Sequence, residues 1–469
     1  MAARQRFDCI VIGGGVSAAV AARRLAEFGL DVCLLHQSEP REQRVVESVA
    51  KGSLVVLERL GIADCIAQAR IPQSAGTSVR WAGEATETAA EAASIIVRRA
   101  AVRTALLHKA VQCGAVVRAA KSIHKLHRHG MGWLAEADCP DGQVRIEAKL
   151  AIFAGGRHGP KCGRRRRLSQ VTLAVTGQFG LPGAAARGCV EATAHAWFWA
   201  APLAGGIQVT AFAAPDHPSL AGGATLEDGL RRLIAGSELL GHLAAAPLAN
   251  PVTVCDASPT IVEPCVDDHF VAIGDAAFTI DPLSSQGMTK AIVSAEQGAI
   301  AANTLLQQSG RHGAAKRFHL DRTREAPDWD RRASAAHYAR QAAVTPTPFW
   351  LSRAEGMAQA RHRQADCPPL AQTALIFDAA ASFAPEPVIR GQMIDEETAL
   401  HHPRLARPIA FVGNVPIGAL LADLPRSMTA AELVQLWSTV IGDRAAMRLL
   451  KQLWDDAVLV PAKVSNRAA

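Results

Sequence analysis

Six residues, Phe7 to Ile12 (FDCIVI), run straight into Gly13-Gly14-Gly15, and from there into an alanine-rich stretch, Ser17 to Phe28, that Gly29 closes. A short β-branched apolar run, a glycine turn and an amphipathic stretch predict strand, tight turn and helix. A second apolar run, Val32 to Leu35, follows without a long connection, so the unit reads as βαβ with two parallel strands. Gly13-Gly14-Gly15-Val16-Ser17-Ala18 fits G-x-G-x-x-A in that setting. Glycines there let backbone N–H groups and the helix N-terminus approach a pyrophosphate, so Gly13, Gly15, Val16, Ser17 and Ala18 are candidate dinucleotide contacts. A turn that merely packs helix on strand is the plainer alternative. The acidic residue expected at the end of the second strand, to grip a ribose hydroxyl, is replaced by His36, which hydrogen-bonds with less charge assistance.

At 469 residues, with 49% apolar and 20% charged, the chain is long enough for two or three cores. No apolar run reaches the roughly 18 residues of a membrane span, and Met1 to Arg6 is polar with no signal-peptide stretch. The ten cysteines are scattered without a C-x-x-C pair, which argues against a zinc module or disulfide framework. No metal is expected, and a reducing, cytoplasmic setting fits. The net charge of +7 is partly concentrated in Lys161 to Arg167 (KCGRRRR). The first reading of such a run is a solvated loop, with an acidic partner as the sharper one; nucleic acid and membrane are not expected partners.

Leu150 to Phe153 reads as a strand ending in Gly155-Gly156-Arg157, and Phe270 to Ile273 as another ending in Gly274-Asp275. Between them, Val171 to Phe179 and Trp197 to Ala213 carry patterns broken by Gly and Pro that predict an antiparallel sheet. Ala291 to Gln307 and roughly Ala315 to Ala343 look helical, and Val344 to Pro369 resembles a connector. Thr429 to Glu432 is a capping-box pattern opening a helix with Leu433, Leu436, Trp437 and Val440 on one face, ended by Gly442; Asp443 to Asp456 repeats the logic with Met447, Leu450, Leu453 and Trp454. Ile409 to Val412 is a further possible strand.

The most informative stretch is Ile273-Gly274-Asp275-Ala276-Ala277-Phe278-Thr279-Ile280-Asp281-Pro282-Leu283-Ser284-Ser285-Gln286-Gly287-Met288. With the first glycine turn, it resembles the superfamily of FAD-dependent aromatic hydroxylases and flavin-dependent halogenases over roughly residues 5 to 310. The resemblance implies that Asp275, beside Gly274, binds the ribityl chain, and that the loop through Pro282, Ser285, Gln286, Gly287 and Met288 offers backbone donors to the isoalloxazine. Ser285 stands where the family has the first glycine of G-Q-G. Arg44-Val45-Val46-Glu47-Ser48 resembles R-I-G-E-S, with Val46 at the glycine; Arg99 matches an arginine near the cofactor phosphates; Ala154-Gly155-Gly156-Arg157 matches A-T-G-R. For Arg44 and Arg99 the plainer alternative is a solvent-exposed side chain.

The implied fold is α/β (α+β overall): a Rossmann-like FAD-binding domain of the p-hydroxybenzoate hydroxylase type, an inserted antiparallel substrate sheet and a small C-terminal helical, winged-helix-like domain. The expected boundaries are 1–343, with the sheet at roughly 75–98 and 168–255, a connector or helical segment at 344–395, and 396–469. No second G-x-G-x-x-G is present, so reduction is expected from NAD(P)H docking transiently or from an external flavin reductase. With O2, the resemblance implies a flavin C4a-hydroperoxide as the reactive species.

Trp197-Phe198-Trp199-Ala200-Ala201-Pro202 resembles the halogenases' W-x-W-x-I-P, but the lysine those enzymes place about thirty residues after Glu47-Ser48 has no counterpart: no lysine lies between Lys51 and Lys109. A hydroxylase is favoured. Trp197 and Trp199 are candidates near the substrate, with sheet packing an equal alternative, as is Asp281, which in the family chiefly shapes its loop; no catalytic base is nominated. The G-D-A-A…D-P-L-S-S-Q-G form and the appended unit look like the flavoprotein monooxygenases of cysteine tryptophylquinone biogenesis, of the QhpG and LodB type. That implies a protein-bound tryptophan as substrate, on the small subunit of quinohemoprotein amine dehydrogenase, docking on the basic run and the C-terminal domain. Hydroxylation or halogenation of a small aromatic metabolite, free or carrier-bound, and a non-catalytic flavin-bearing assembly factor are the alternatives.

Overall fold

The computed structural model describes residues 4–37, 46–72, 76–89, 94–180, 187–221, 225–355, 369–421 and 424–462. Two compact units divide it: Met1–His312 with His319–Gly356, and Gly313–Phe318 with Met357–Ala469.

In the first unit the βαβ start is present as Arg4–Ile12, helix Val16–Glu27 and Val32–Gln37. Gly29, in left-handed backbone, turns the chain back after the helix. Around these strands a seven-stranded sheet runs in the order Val116–Ala120, Val32–Gln37, Arg4–Ile12, Gly142–Phe153, Gly132–Cys139, Ser122–His129, with Phe270–Ala272 also paired to the end of Gly142–Phe153. Arg4–Ile12 pairs in parallel with both Val32–Gln37 and Gly142–Phe153, in a register that sets Ile12 beside Phe153. The glycine turn and the Ala154-Gly155-Gly156 end therefore emerge at one edge, at the carboxyl ends of parallel strands where α/β sheets bind ligands. Ile10, Ile12, Leu35, Phe153 and Phe270 anchor the core beneath.

The second sheet is the expected insertion. Its order is Thr253–Asp256, Leu173–Gly180, Gly206–Ala213, Ala196–Leu203, Gly188–Ala192, Thr77–Trp81, Glu84–Thr88. Every pairing is antiparallel except Gly188–Ala192 with Thr77–Trp81, which is parallel, because the chain reaches that edge from two distant parts of the sequence. One face packs Phe198, Ala200 and Val209 with Leu230, Leu233 and Ile234 of helix Leu226–Ala235. The other presents Trp197 and Phe212, stacked at 3.8 Å between ring centroids, to Tyr338, Phe349 and Trp350.

Three readings are corrected. Lys161 to Arg167 is not a solvated loop: Arg164–Arg167 is a strand paired with Thr260–Glu263, and the alternation that directs Arg165 inward is invisible when every residue in the run is the same. The segment 344–395 is more than a connector. Pro348–Ala354 is helical, Ala374–Phe377 belongs to a three-stranded sheet, and Ser382–Arg390 pairs with Met393–His401 from residue 382 onward. Pro385 and Pro387 hid that hairpin, since proline argues against a strand except in pairs with a free edge; Gly391 supplies its left-handed turn. Of the helix stripes in the second unit, Leu433, Trp437, Leu450, Leu453 and Trp454 form the core, whereas Leu436, Val440 and Met447 are exposed. The Thr429–Glu432 capping box is present and Gly442 ends the helix in left-handed backbone.

Candidate functional site

The two glycine turns meet. Gly13, at φ 136°, lies so close to the end of Gly142–Phe153 that a Cβ would collide with the Ala154 carbonyl, and at Gly274, at φ 57°, a Cβ would collide with the Ser17 hydroxyl. Side chains are excluded on both sides of the junction. Gly15, which precedes helix Val16–Glu27, faces open space. No acidic residue stands in that helix's first turn, so its N-terminal N–H groups remain available to an anion.

Next to this junction is a cavity of about 240 Å³ lined by Val16, Glu47, Arg99, Arg157, Asp275 and residues of the Thr279–Pro282 and Gly287–Ala291 segments. Its charge is arranged in pairs. Arg99 Nη1 donates to Glu47 Oε1 at 3.1 Å. Asp275 is bridged by Lys290 Nζ, which also donates to the Phe278 carbonyl at 3.0 Å, and has Arg157 Nε at 3.6 Å. Burial alone would raise the Asp275 carboxyl, but the Lys290 and Arg157 charges outweigh it and hold the group well below the usual carboxylate range. A fixed carboxylate beside a helix N-terminus and two guanidinium groups suits a ligand with both hydroxyls and phosphates.

Asp281, Pro282, Gly287 and Met288 line the cavity. Ser285, at φ 52°, takes the left-handed conformation that glycine would take there, and Gln286 precedes helix Gly287–Gln307. Ser48 is half-buried in a strand pair, Val46–Val49 with Ile95–Arg98, and Ala18 lies in the core of its helix; neither lines the cavity. His36 is buried at the strand end against Gly14, and Arg103 donates both to the Gly14 carbonyl and, at 3.2 Å, to His36 Nδ1. Burial and the neighbouring Arg103 cation both lower the His36 pKa. Arg44 lies outside the described residues. Trp197 is a core residue, 2% exposed. Trp199 packs between the Trp197 cluster and the cluster of Val46, Ile71, Ile96 and Ala201, so it joins the inserted sheet to the strand that carries Glu47. Val46 fills that second cluster, which explains a branched residue at the family's glycine.

Several contributors were not anticipated. Lys290 is the one lysine of helix Gly287–Gln307, set in its apolar first turns, a signal available in the sequence. Arg165 donates to Thr260 Oγ1 at 2.6 Å and to the Asp275 carbonyl at 2.8 Å, so one arginine of the basic run braces the Asp275 turn. Arg103, Gln208, Asp330 and Tyr338 act from distant elements and had no local signature.

Residues 6–177 match the model of the FAD binding domain family. A curated relative, digeranylgeranylglycerophospholipid reductase 2 of Methanopyrus kandleri (strain AV19), is 26% identical over 328 residues, covering 66% of this chain and 81% of that protein. Among solved structures, the peptidyl tryptophan dihydroxylase QhpG, essential for tryptophylquinone cofactor biogenesis, is 23% identical with a TM-score of 0.76, covering 96% of this chain and 99% of its own. The flavin-dependent halogenase CmlS is 18% identical with a TM-score of 0.79, covering 98% and 96%, while the flavin-dependent brominase Bmp2 covers 72% of this chain. Among the described residues no helix is long and apolar enough to cross a membrane, and no His, Cys, Asp and Glu cluster suits a metal ion.

Proposed function

We propose that this chain, whose residues 6–177 match the FAD binding domain family and whose fold resembles those of the dihydroxylase QhpG and the halogenase CmlS, is an FAD-dependent oxidoreductase of the aromatic hydroxylase and halogenase superfamily that hydroxylates a protein-bound tryptophan in tryptophylquinone biogenesis. The partner in this reading is the small subunit of a quinohemoprotein amine dehydrogenase. The observation that carries it is the extent of the likeness to the peptidyl tryptophan dihydroxylase: the fold agrees over 96% of this chain, the C-terminal unit included.

The residues present fit FAD. The turn Gly13–Ser17 and the N-terminus of Val16–Glu27 would hold the pyrophosphate, Asp275 the ribityl hydroxyls, and the Asp281–Met288 segment the ring system. When bound, the flavin supplies oxygen activation, with electrons from NAD(P)H or a flavin reductase and with O2 as co-substrate. The chain's own residues orient and enclose. Trp199, half-buried between the Trp197 cluster and the buried Val46 and Ile96, is the aromatic side chain against which a substrate ring would be placed. An indole is electron-rich enough that position alone supplies much of the catalysis, which accords with the want of an obvious base.

Halogenation is the second reading, favoured by the match to CmlS over 98% of the chain. Against it stands the lysine pattern: in strand Thr77–Trp81 the long cation is Arg80, paired with Glu238, and the lysine that lines the cavity, Lys290, is committed to Asp275.

Co-expression with the candidate small subunit, followed by peptide mass spectrometry, tests the proposal. Added oxygen on tryptophan supports it. An unmodified subunit in the presence of reduced FAD and O2, together with turnover of free or carrier-tethered indoles or phenols, transfers the assignment to a small metabolite, with halide incorporation marking halogenation. Oxygen consumed with no product would leave a flavin-bearing assembly factor.

A further inference from the structure

Along the long helix His312–Val344, Asp330, Ser334 and Tyr338 follow at i, i+4 and i+8 and so share one face. All three are buried, at 2%, 3% and 2% exposure, which is unusual for a carboxylate. The face meets the turn that begins at Asp281, which with Pro282 walls the cavity. Asp330 Oδ2 accepts the Asp281 backbone N–H at 2.7 Å, and Tyr338 donates its hydroxyl to Asp281 Oδ1 at 2.8 Å. The same Oδ1 accepts the Leu283 N–H at 3.0 Å, and the Ser284 hydroxyl donates to the Asp281 carbonyl at 3.0 Å. One helix thus grips residue 281 by both its backbone and its side chain.

The grip contains a conflict. Asp281 is itself buried, at 8% exposure, so two carboxyl groups share a dry site. Asp281 has the better claim to the negative charge, with Tyr338 and Leu283 donating to it and the Arg353 cation facing it. Asp330 faces the Ser284 hydroxyl, the Asp281 carboxyl and, at longer range, Lys290, and among the described residues its Oδ1 has no hydrogen-bond partner, nor has Ser334 Oγ one turn on. A buried carboxylate oxygen without a donor is costly, whereas a protonated Asp330 still accepts the Asp281 N–H through its carbonyl oxygen.

We infer that Asp330 is the positioning residue of the cofactor-side turn, and that a proton on Asp330, beside the ionised Asp281, keeps the turn in its cofactor-binding form. Loss of that proton places two like charges side by side behind the Asp281–Gln286 segment and loosens it. Burial, the largest influence on Asp330, pushes its pKa up to about 6, so the loosening falls near neutral pH. The inference rests on FAD occupying the cavity and not on which aromatic ring is oxidised, so an unmodified peptide substrate leaves it untouched.

The test is FAD affinity by flavin fluorescence between about pH 5 and about pH 7.5, with no turnover involved. Wild-type protein is expected to bind about fivefold more weakly at the upper end. Asp330→Asn, a permanently neutral isostere that keeps the acceptor for Asp281 N–H, is expected to bind as tightly as wild type does at low pH and to show no such fall. Should Asp330→Asn fail to fold, the infrared band of a protonated carboxyl in FAD-loaded wild-type protein, present near pH 5 and gone near pH 7.5, carries the same information. A flat wild-type profile, an unchanged slope in Asp330→Asn, or no titrating carboxyl band would each overturn the inference.

Discussion

The Gln208 side chain and the Val46 backbone are joined as two strands would be: Gln208 Oε1 accepts the Val46 N–H and Gln208 Nε2 donates to the Val46 carbonyl, both at 3.3 Å. Gln208 lies in the inserted sheet, and Val46 opens the strand that carries Glu47 and Ser48. A side-chain amide thereby fixes the cofactor-facing strand to the sheet that would bear the substrate.

Replacing Gln208 by Leu leaves two buried backbone groups of Val46 without partners, at about 1–3 kcal/mol each when nothing compensates. The expected outcome is a loss of about 2 kcal/mol in urea unfolding and weaker FAD binding, as Glu47 and its partner Arg99 lose their fixed place. Gln208→Glu retains the acceptor for Val46 N–H and should fall between the two, measured by denaturant titration and flavin fluorescence.

Lys290→Met breaks the buried contact with Asp275 while keeping the length of the side chain. Arg157, at 3.6 Å, then remains the nearest cation, with Arg99 farther off, beside a carboxyl that burial disfavours in its charged form. Removing one partner of such a pair is more harmful than lacking the pair altogether. FAD affinity is expected to fall about tenfold and to become pH-dependent in the acid range, because the Asp275 carboxyl moves up toward its ordinary value. Equilibrium titration of the apoprotein with FAD at several pH values measures both effects.

Ser285 occupies left-handed backbone at φ 52° without being glycine, a conformation that costs a side-chain-bearing residue roughly 1–2 kcal/mol. Ser285→Gly removes that cost and adds back part of it as unfolded-chain entropy. A net stabilisation of about 0.5 kcal/mol with unchanged FAD affinity is expected by thermal unfolding with and without cofactor.

How far the sequence could be read followed the range of the forces involved. The βαβ start, the Gly274-Asp275 turn and the Thr429 capping box are decided by residues within a few positions of one another, and all were legible. So was the convergence of the two glycine turns, because parallel pairing leaves strand ends at one edge. Arg165 was not, since its inward direction depends on a register with Thr260–Glu263 about a hundred residues away. Trp197 and Trp199 look alike in the sequence, but Phe212 stacks over the first, which is fully buried, while the second is half-buried between two clusters. Asp330 carried no sequence signal, because the partner that gives it meaning is the backbone N–H of residue 281.

His319 yields the prediction with the most definite sign. It is buried at 2% exposure beneath the first sheet, where Nε2 lies 2.8 Å from the Ala272 carbonyl and Nδ1 has no partner among the described residues. Burial lowers its pKa to about 4, while the unfolded chain keeps a value near 6.5. Between those values the unfolded state binds the extra proton, so stability is full above about pH 6.5 and drains away as the pH falls toward about 4, by up to about 3 kcal/mol. Asp330, whose pKa is raised, acts in the opposite sense, its contribution falling as pH rises from about 4 to about 6, so wild-type protein should show a shallower acid slope than His319 alone would produce. His319→Gln keeps a donor for the Ala272 carbonyl and removes the titration. Urea unfolding at intervals across this range should therefore show the variant's stability rising as pH falls below 6.5, where that of wild type is flat or declining.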